Sequence, residues 1–153
     1  MHALELKIPP AIMVLILAAA AWGAAWFTPA LGFYWPGASL LATGLVVTGL
    51  LVCLLGVAAF RAAQTTINPF EPAKASRLVI AGIYRWTRNP MYLGMLLVLL
   101  AWAVVLAHPL AFAPAVAFVP LMNRLQIVPE ERILAGIFGA EFIAYQTCVR
   151  RWI

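Results

Sequence analysis

The chain has 153 residues, 65% of them hydrophobic and 10% charged, with a mean hydropathy of +0.99. A soluble domain carries about 45–50% apolar and about 25% charged residues, so an ordinary soluble protein is excluded, and the same apolar excess excludes disorder. The net charge is +5, from ten Lys and Arg against five acids; the basic residues punctuate apolar runs, which points to membrane topology rather than to nucleic acid.

At ~20 residues per span, this length holds one domain of about four transmembrane helices plus loops. The first uncharged run is residues 8–27, with Pro9 and Pro10 at its start, where a missing N–H costs least. Lys7 and small residues flank it in the manner of a signal peptide. It is as long as a full span and more spans follow, so it reads as a retained first helix. Thr28, Pro29, Gly32, Pro36 and Gly37 make the next segment a turn, with Tyr34 and Trp35 suited to the membrane interface. Residues 39–60 form the second run. Its Gly44, Gly49 and Gly56 are either close-approach points for a neighbouring helix or the ordinary glycine content of membrane spans.

Residues 61–90 form a polar loop with Arg61, Lys74, Arg77, Arg85, Arg88 and Glu71. The third run is residues 91–107, His108-Pro109 is a tight turn, and the fourth run is residues 109–128. Every Lys and Arg then falls on one side of a four-span arrangement. The positive-inside rule puts both termini and the long loop in the cytosol, and a bacterial inner membrane is the expected location. Residues 129–153 are expected to form a cytosolic amphipathic helix, with Glu130 and Glu131 in its first turn and Glu141 set into its apolar stripe. A carboxylate there needs a partner, for which Arg85 and Arg88 are candidates. Arg132, Arg150 and Arg151 are placed to meet lipid phosphates. The fold class is an all-α integral membrane protein of four spans plus this C-terminal helix.

The first three spans carry no charged residue, and all five acids lie outside the uncharged runs, which counts against proton-coupled transport. Cys53 and Cys148 are isolated thiols, and no metal is expected. Polar groups gather instead in two segments joined by the hairpin of runs three and four, so they emerge on one membrane face. The first contains Gly82-Ile83-Tyr84 and Arg88-Asn89-Pro90-Met91-Tyr92-Leu93-Gly94. The second contains Glu130-Glu131, Leu134, Phe138-Gly139, Glu141, Tyr145 and Arg150. As residues alone, these read equally as interface anchors and helix caps.

Their order and spacing resemble the isoprenylcysteine carboxyl methyltransferase and phospholipid methyltransferase superfamily of integral membrane proteins, over residues 61–153. The resemblance implies methyl transfer from S-adenosyl-L-methionine at the cytosolic membrane face. It places Ser76, Arg77, Leu78, Val79, Tyr84, Asn89, Pro90, Met91, Tyr92 and Glu130 at the cofactor. It gives catalytic roles to Arg88, Glu130, Glu131 and Glu141, and substrate contacts to Gln126 and Tyr145. Tyr84, Trp86 or Tyr92 would face the adenine or the sulfonium, a cation–π contact of ~0.5–2 kcal/mol. Asn89 stands where the eukaryotic prenylcysteine branch has His, which weakens transfer of that substrate more than of the cofactor. The acceptor stays open among an isoprenoid-linked carboxylate, a phospholipid amine and a small thiol. Two rival readings are an NADPH reductase of the related sterol-reductase fold and a non-enzymatic transporter or assembly partner.

Overall fold

Proline begins two of the long helices. The computed structural model describes residues 5–64 and 77–153. In it α1 (Pro10–Phe27) and α3 (Pro90–Leu106) each start on a proline, whose fixed φ suits the first helical turn. Between them α2 (Ala38–Ala62) follows Gly37, held at φ +81. A single 3-10 turn at Gly82–Arg85 leads into α3, and a second, Pro109–Ala111, leads out of it. The described residues are helix, turn and extended loop, with no strand. Three helices are long and apolar enough to cross a membrane, Pro10–Phe27, Ala38–Ala62 and Pro109–Phe138, and α3 is a shorter apolar helix.

The last of these departs from the expected break before residue 129. α4 (Phe112–Met122) passes through a π-turn, Asn123–Ile127, directly into α5 (Val128–Phe138). Prolines on both sides account for the irregular turn: Pro120 and Pro129 cannot donate to the carbonyls four residues earlier. The Leu125 carbonyl, which Pro129 leaves free, accepts the Leu6 N–H at 2.9 Å. At about 1.5 Å per residue, this rod outruns a hydrocarbon core of ~30 Å. Glu130 and Glu131 lie in the last third of this rod.

The expected single helix over residues 129–153 is divided. α5 stops at Gly139, whose φ of +53 and ψ of −126 lie where side chains of L-residues are rarely tolerated. α6 (Ala140–Cys148) then starts afresh, and Val149 is extended. The break resets the helical phase, so Glu141 falls on an exposed face rather than in an apolar stripe. The Arg partner expected for it is not there, because Arg88 pairs with Glu131 instead.

α3 is the hub, packing against α1, α2 and α4. Leu99, Ala101, Ala103 and Val104 are buried in it, and a helix apolar on every side is what a central position demands. Its contact with α2 is made by glycines. A Cβ on Gly49 would lie 2.7 Å from the Gly94 carbonyl, and Gly56 sits against Pro90 and Met91. Gly44 has nothing within 4 Å. Two of the three glycines in α2 are thus close-approach points and one is ordinary span content. Phe118, Met122 and Ile127 are buried against α1 and α3 residues such as Met13 and Leu99.

At one end of the bundle His108 ties the α3–α4 turn to the end of α1. Its Nδ1 accepts the Leu110 N–H at 3.3 Å, which leaves the proton on Nε2 to be donated to the Thr28 carbonyl at 2.9 Å. The opposite end carries the basic residues. There Gln126 donates to the Ile8 carbonyl at 2.6 Å and Arg132 pairs with Glu5 at 3.0 Å.

Candidate active site at the basic end of the bundle

The Thr87-Arg88-Asn89 turn precedes α3, and the C-terminal residues 149–153 lie across it. The Arg88 N–H donates to the Arg150 carbonyl at 3.0 Å. The Arg151 carbonyl accepts from Asn89 Nδ2 at 2.9 Å and from Thr87 Oγ1 at 3.3 Å. Trp152 donates to Asn123 Oδ1 at 3.0 Å and meets Phe118 edge-on. This seats the segment against the π-turn. The two polar segments of the sequence thus converge, with residues 149–153 as the strap between them.

Glu131 is the centre of the charge cluster. Arg88 Nη2 lies 3.1 Å from its Oε1. Arg151 takes it in a fork, Nε to Oε1 at 3.1 Å and Nη2 to Oε2 at 2.7 Å. Bidentate pairs of this kind are the stronger ion pairs and fix geometry. Both oxygens of Glu131 are engaged. Arg88 Nε is buried and has no hydrogen-bond partner among the described residues.

Glu130, one residue away, accepts from the Tyr92 hydroxyl at 2.5 Å. Tyr92 is buried in the first turn of α3, so helix packing aims the phenol. Replacing Tyr92 with Phe removes this donor and is expected to cost about 1–3 kcal/mol, read as a lower melting temperature of the detergent-solubilised protein.

Tyr145, on α6, donates to the Tyr84 carbonyl at 2.7 Å and so braces the 3-10 turn. Burial pushes the Tyr145 phenol up from its ordinary value, with the Arg88 charge opposing the shift. Burial also raises Tyr84. Both stay protonated at neutral pH, as a donating Tyr145 requires. Gly82 takes φ +62, the turn conformation that glycine permits.

The remaining sequence-predicted residues are scattered in role. Pro90 and Met91 face α2 at Gly56, and the Met91 carbonyl accepts from Cys53 Sγ at 3.4 Å. Val79 is buried, Leu78 half-buried and Arg77 exposed; Ser76 lies outside the described residues. Gln126 is fully buried, with Nε2 spent on Ile8 and Oε1 without a partner among the described residues. Glu141 is exposed and joins no ion pair among them. Arg151 and Thr87 are the residues that sequence reasoning missed. Arg151 and Arg132, expected at lipid phosphates, are engaged by Glu131 and Glu5, while Arg150 is exposed.

Beside the turn lies an apolar cleft of about 480 Å³ between α2 and the strap, lined by Val52, Leu55, Trp86, Leu93, Trp152 and Ile153 among others. Its walls are almost wholly carbon, in contrast to the charged cluster.

A family model for phospholipid methyltransferases matches residues 38–141, well over half of the chain, and takes in Arg88, Tyr92, Glu130 and Glu131. The chain belongs to the phospholipid methyltransferase family. Methyltransferases of isoprenylcysteine are also among its relatives. It is 29% identical over 120 residues to human protein-S-isoprenylcysteine O-methyltransferase, covering 74% of this chain and 42% of that protein. With the protein of the same name from Tribolium castaneum it shares 29% identity over 105 residues, 64% of this chain and 37% of that one. An uncharacterized protein of Haemophilus influenzae is 43% identical over 63 residues, which is 41% of this chain and 100% of that protein. The chain thus spans less than half the length of the isoprenylcysteine methyltransferases it matches. No solved structure matches it significantly.

Proposed function

We propose that the chain is an S-adenosyl-L-methionine-dependent methyltransferase working where the basic end of the bundle meets the cytosolic membrane face, on a lipophilic acceptor. The observation that carries this reading is a pair of opposite groups held through adjacent residues of α5. A carboxylate, Glu130, is aimed by Tyr92, and the partner of the next residue, Glu131, is Arg88, whose buried Nε–H has no partner among the described residues. The donor bears a carboxylate, an ammonium and ribose hydroxyls, and these two groups match them. Glu130 accepts from the hydroxyls or the ammonium, and the Arg88 Nε–H donates to the carboxylate. When bound, the donor supplies an electrophilic methyl on sulfur. The acceptor lone pair bonds to that carbon, and the carbon–sulfur electron pair returns to sulfur.

The chain's part is to align and to exclude water. The strap holds the turn that carries Arg88 and Asn89, Tyr145 braces the 3-10 turn before it, and orientation of this kind contributes roughly 7–11 kcal/mol to such displacements. The apolar cleft suits the hydrocarbon portion of an acceptor reached from the bilayer. Thr87, next to Arg88, is among the residues that line the cleft, which supports a reacting head on that side. A carboxylate acceptor reacts without a base. An amine acceptor must first lose a proton, and Glu130 is the carboxylate in reach for it. The basic residues at this end favour a cytosolic location under the positive-inside rule, in the inner membrane if the chain is bacterial.

Calorimetry of the purified protein in detergent tests the reading. Wild-type protein is expected to bind S-adenosyl-L-methionine saturably, and Glu130→Gln to bind it at least about tenfold more weakly, the loss expected for a hydrogen bond to a charged group. A well-folded wild-type protein that binds none would overturn it. Methylation of a prenylcysteine analogue against a phospholipid amine then identifies the acceptor.

A further inference from the structure

Two guanidinium groups share one carboxylate in the charge cluster. Arg88 and Arg151 both bind Glu131, so Glu131 alone does not neutralise the two guanidinium groups. A second cation adds repulsion to the first, and a purely structural pair needs only one Arg. The Arg151 side chain is 34% exposed, whereas Arg88 is 12% exposed and Glu131 14%. The fork from Arg151 takes up Glu131 Oε2 and shares Oε1, and so fixes the plane of the carboxylate. That plane dictates where Arg88 Nη2 must lie, and with it where the rigid guanidinium points Nε. The Arg151 carbonyl meanwhile holds Asn89 and Thr87 on either side of Arg88.

We infer that Arg151 is a positioning residue: it sets Glu131 so that Arg88 presents its Nε–H to an anionic group of the bound ligand. The recognised chemistry is a carboxylate or a phosphate. The first belongs to the methyl donor and the second to a phospholipid acceptor. This inference rests on the proposed methyl transfer, and its test is read at Arg88 rather than through turnover.

The experiment uses the full chain, ¹⁵N-labelled, in detergent micelles, and follows the arginine Nε–H resonances by NMR. The Arg88 signal is identified by its loss in Arg88→Lys. Without ligand, Arg151→Gln is expected to shift or broaden that signal, while Arg151→Lys, which keeps a cation on Glu131, shifts it less. S-adenosyl-L-methionine and a short-chain phosphatidylethanolamine are then titrated separately. One of them is expected to move the Arg88 signal, and Arg151→Gln to need about tenfold more of it, as for a weakened charge-assisted hydrogen bond.

An Arg88 signal and titration unchanged in Arg151→Gln, with only the melting temperature lowered, would overturn the inference and leave Arg151 as a clasp. If Arg151→Gln fails to fold, Arg151→Lys carries the comparison. An Arg88 signal that neither ligand moves also overturns it. If calorimetry still shows S-adenosyl-L-methionine bound in that case, the proposed function survives without this residue.

Discussion

Replacing Glu131 with alanine is expected to destabilise the protein more than any other single change at the charged cluster. The substitution strands two guanidinium groups at once, one of them largely withdrawn from water. Removing one partner of a buried ion pair typically costs about 3–5 kcal/mol, because the remaining charge is left uncompensated. The exposure of Arg151 argues for the lower part of that range. Native domains hold only about 5–15 kcal/mol in total, so the loss is a large share. It should appear as a clear fall in melting temperature and as early release of residues 149–153 in hydrogen exchange. Glu131→Gln keeps the shape and two acceptor or donor positions but not the charge, and should lie between. A variant that melts with the wild type would show that the cluster has no structural weight.

Gly94→Ala is the second large effect, and it acts in the middle of the bundle. The added methyl would collide with both the Gly49 carbonyl and Cys53 Sγ on α2. The thiol can rotate away; the backbone carbonyl cannot, so the two helices must part. Overpacking of this kind costs about 1–3 kcal/mol and more when backbone has to move. Gly44→Ala is the matched control, since nothing lies within 4 Å of its added carbon. There, higher helix propensity favours alanine by roughly 0.5–1 kcal/mol. Opposite signs for the two substitutions in detergent melting would confirm the α2–α3 seam. Cys53→Ala should rescue Gly94→Ala only in part, because the clash with the carbonyl persists.

The apolar helices were legible because lipid permits only long apolar runs, and prolines and polar turns mark their ends; three of them are long enough to cross a membrane, and the expected third run forms the shorter α3. The third run, expected from residue 91, starts within a residue of α3. The convergence of two polar segments followed from counting spans and charges. Other features were not legible, each for a physical reason. The π-turn depends on two prolines nine positions apart acting on one helix. The break at Gly139 depends on a backbone conformation that sequence periodicity cannot show, and it carried Glu141 out of the stripe assigned to it. Arg151 looked like a lipid-facing cation because its partner is a tertiary neighbour, and charge patterns on a single helix reveal nothing of it.

α1 makes its main contacts with α3 and α4, and few with α2, its neighbour in sequence. Gln126 and the Ile8 carbonyl that it holds are 118 positions apart. The consequence lies in how the bundle is assembled during synthesis. α1 is made before the helices it packs against, while α2 and α3 can pair through their glycines as soon as both are made. α1 finds part of its seat on α3, where Trp102 donates to the Ala18 carbonyl, and the rest only when α4 and the π-turn bring the Leu125 carbonyl and the Gln126 amide. The completed basic end is therefore a late event, and lesions in the π-turn should loosen the segment before α1 while leaving the α2–α3 seam intact.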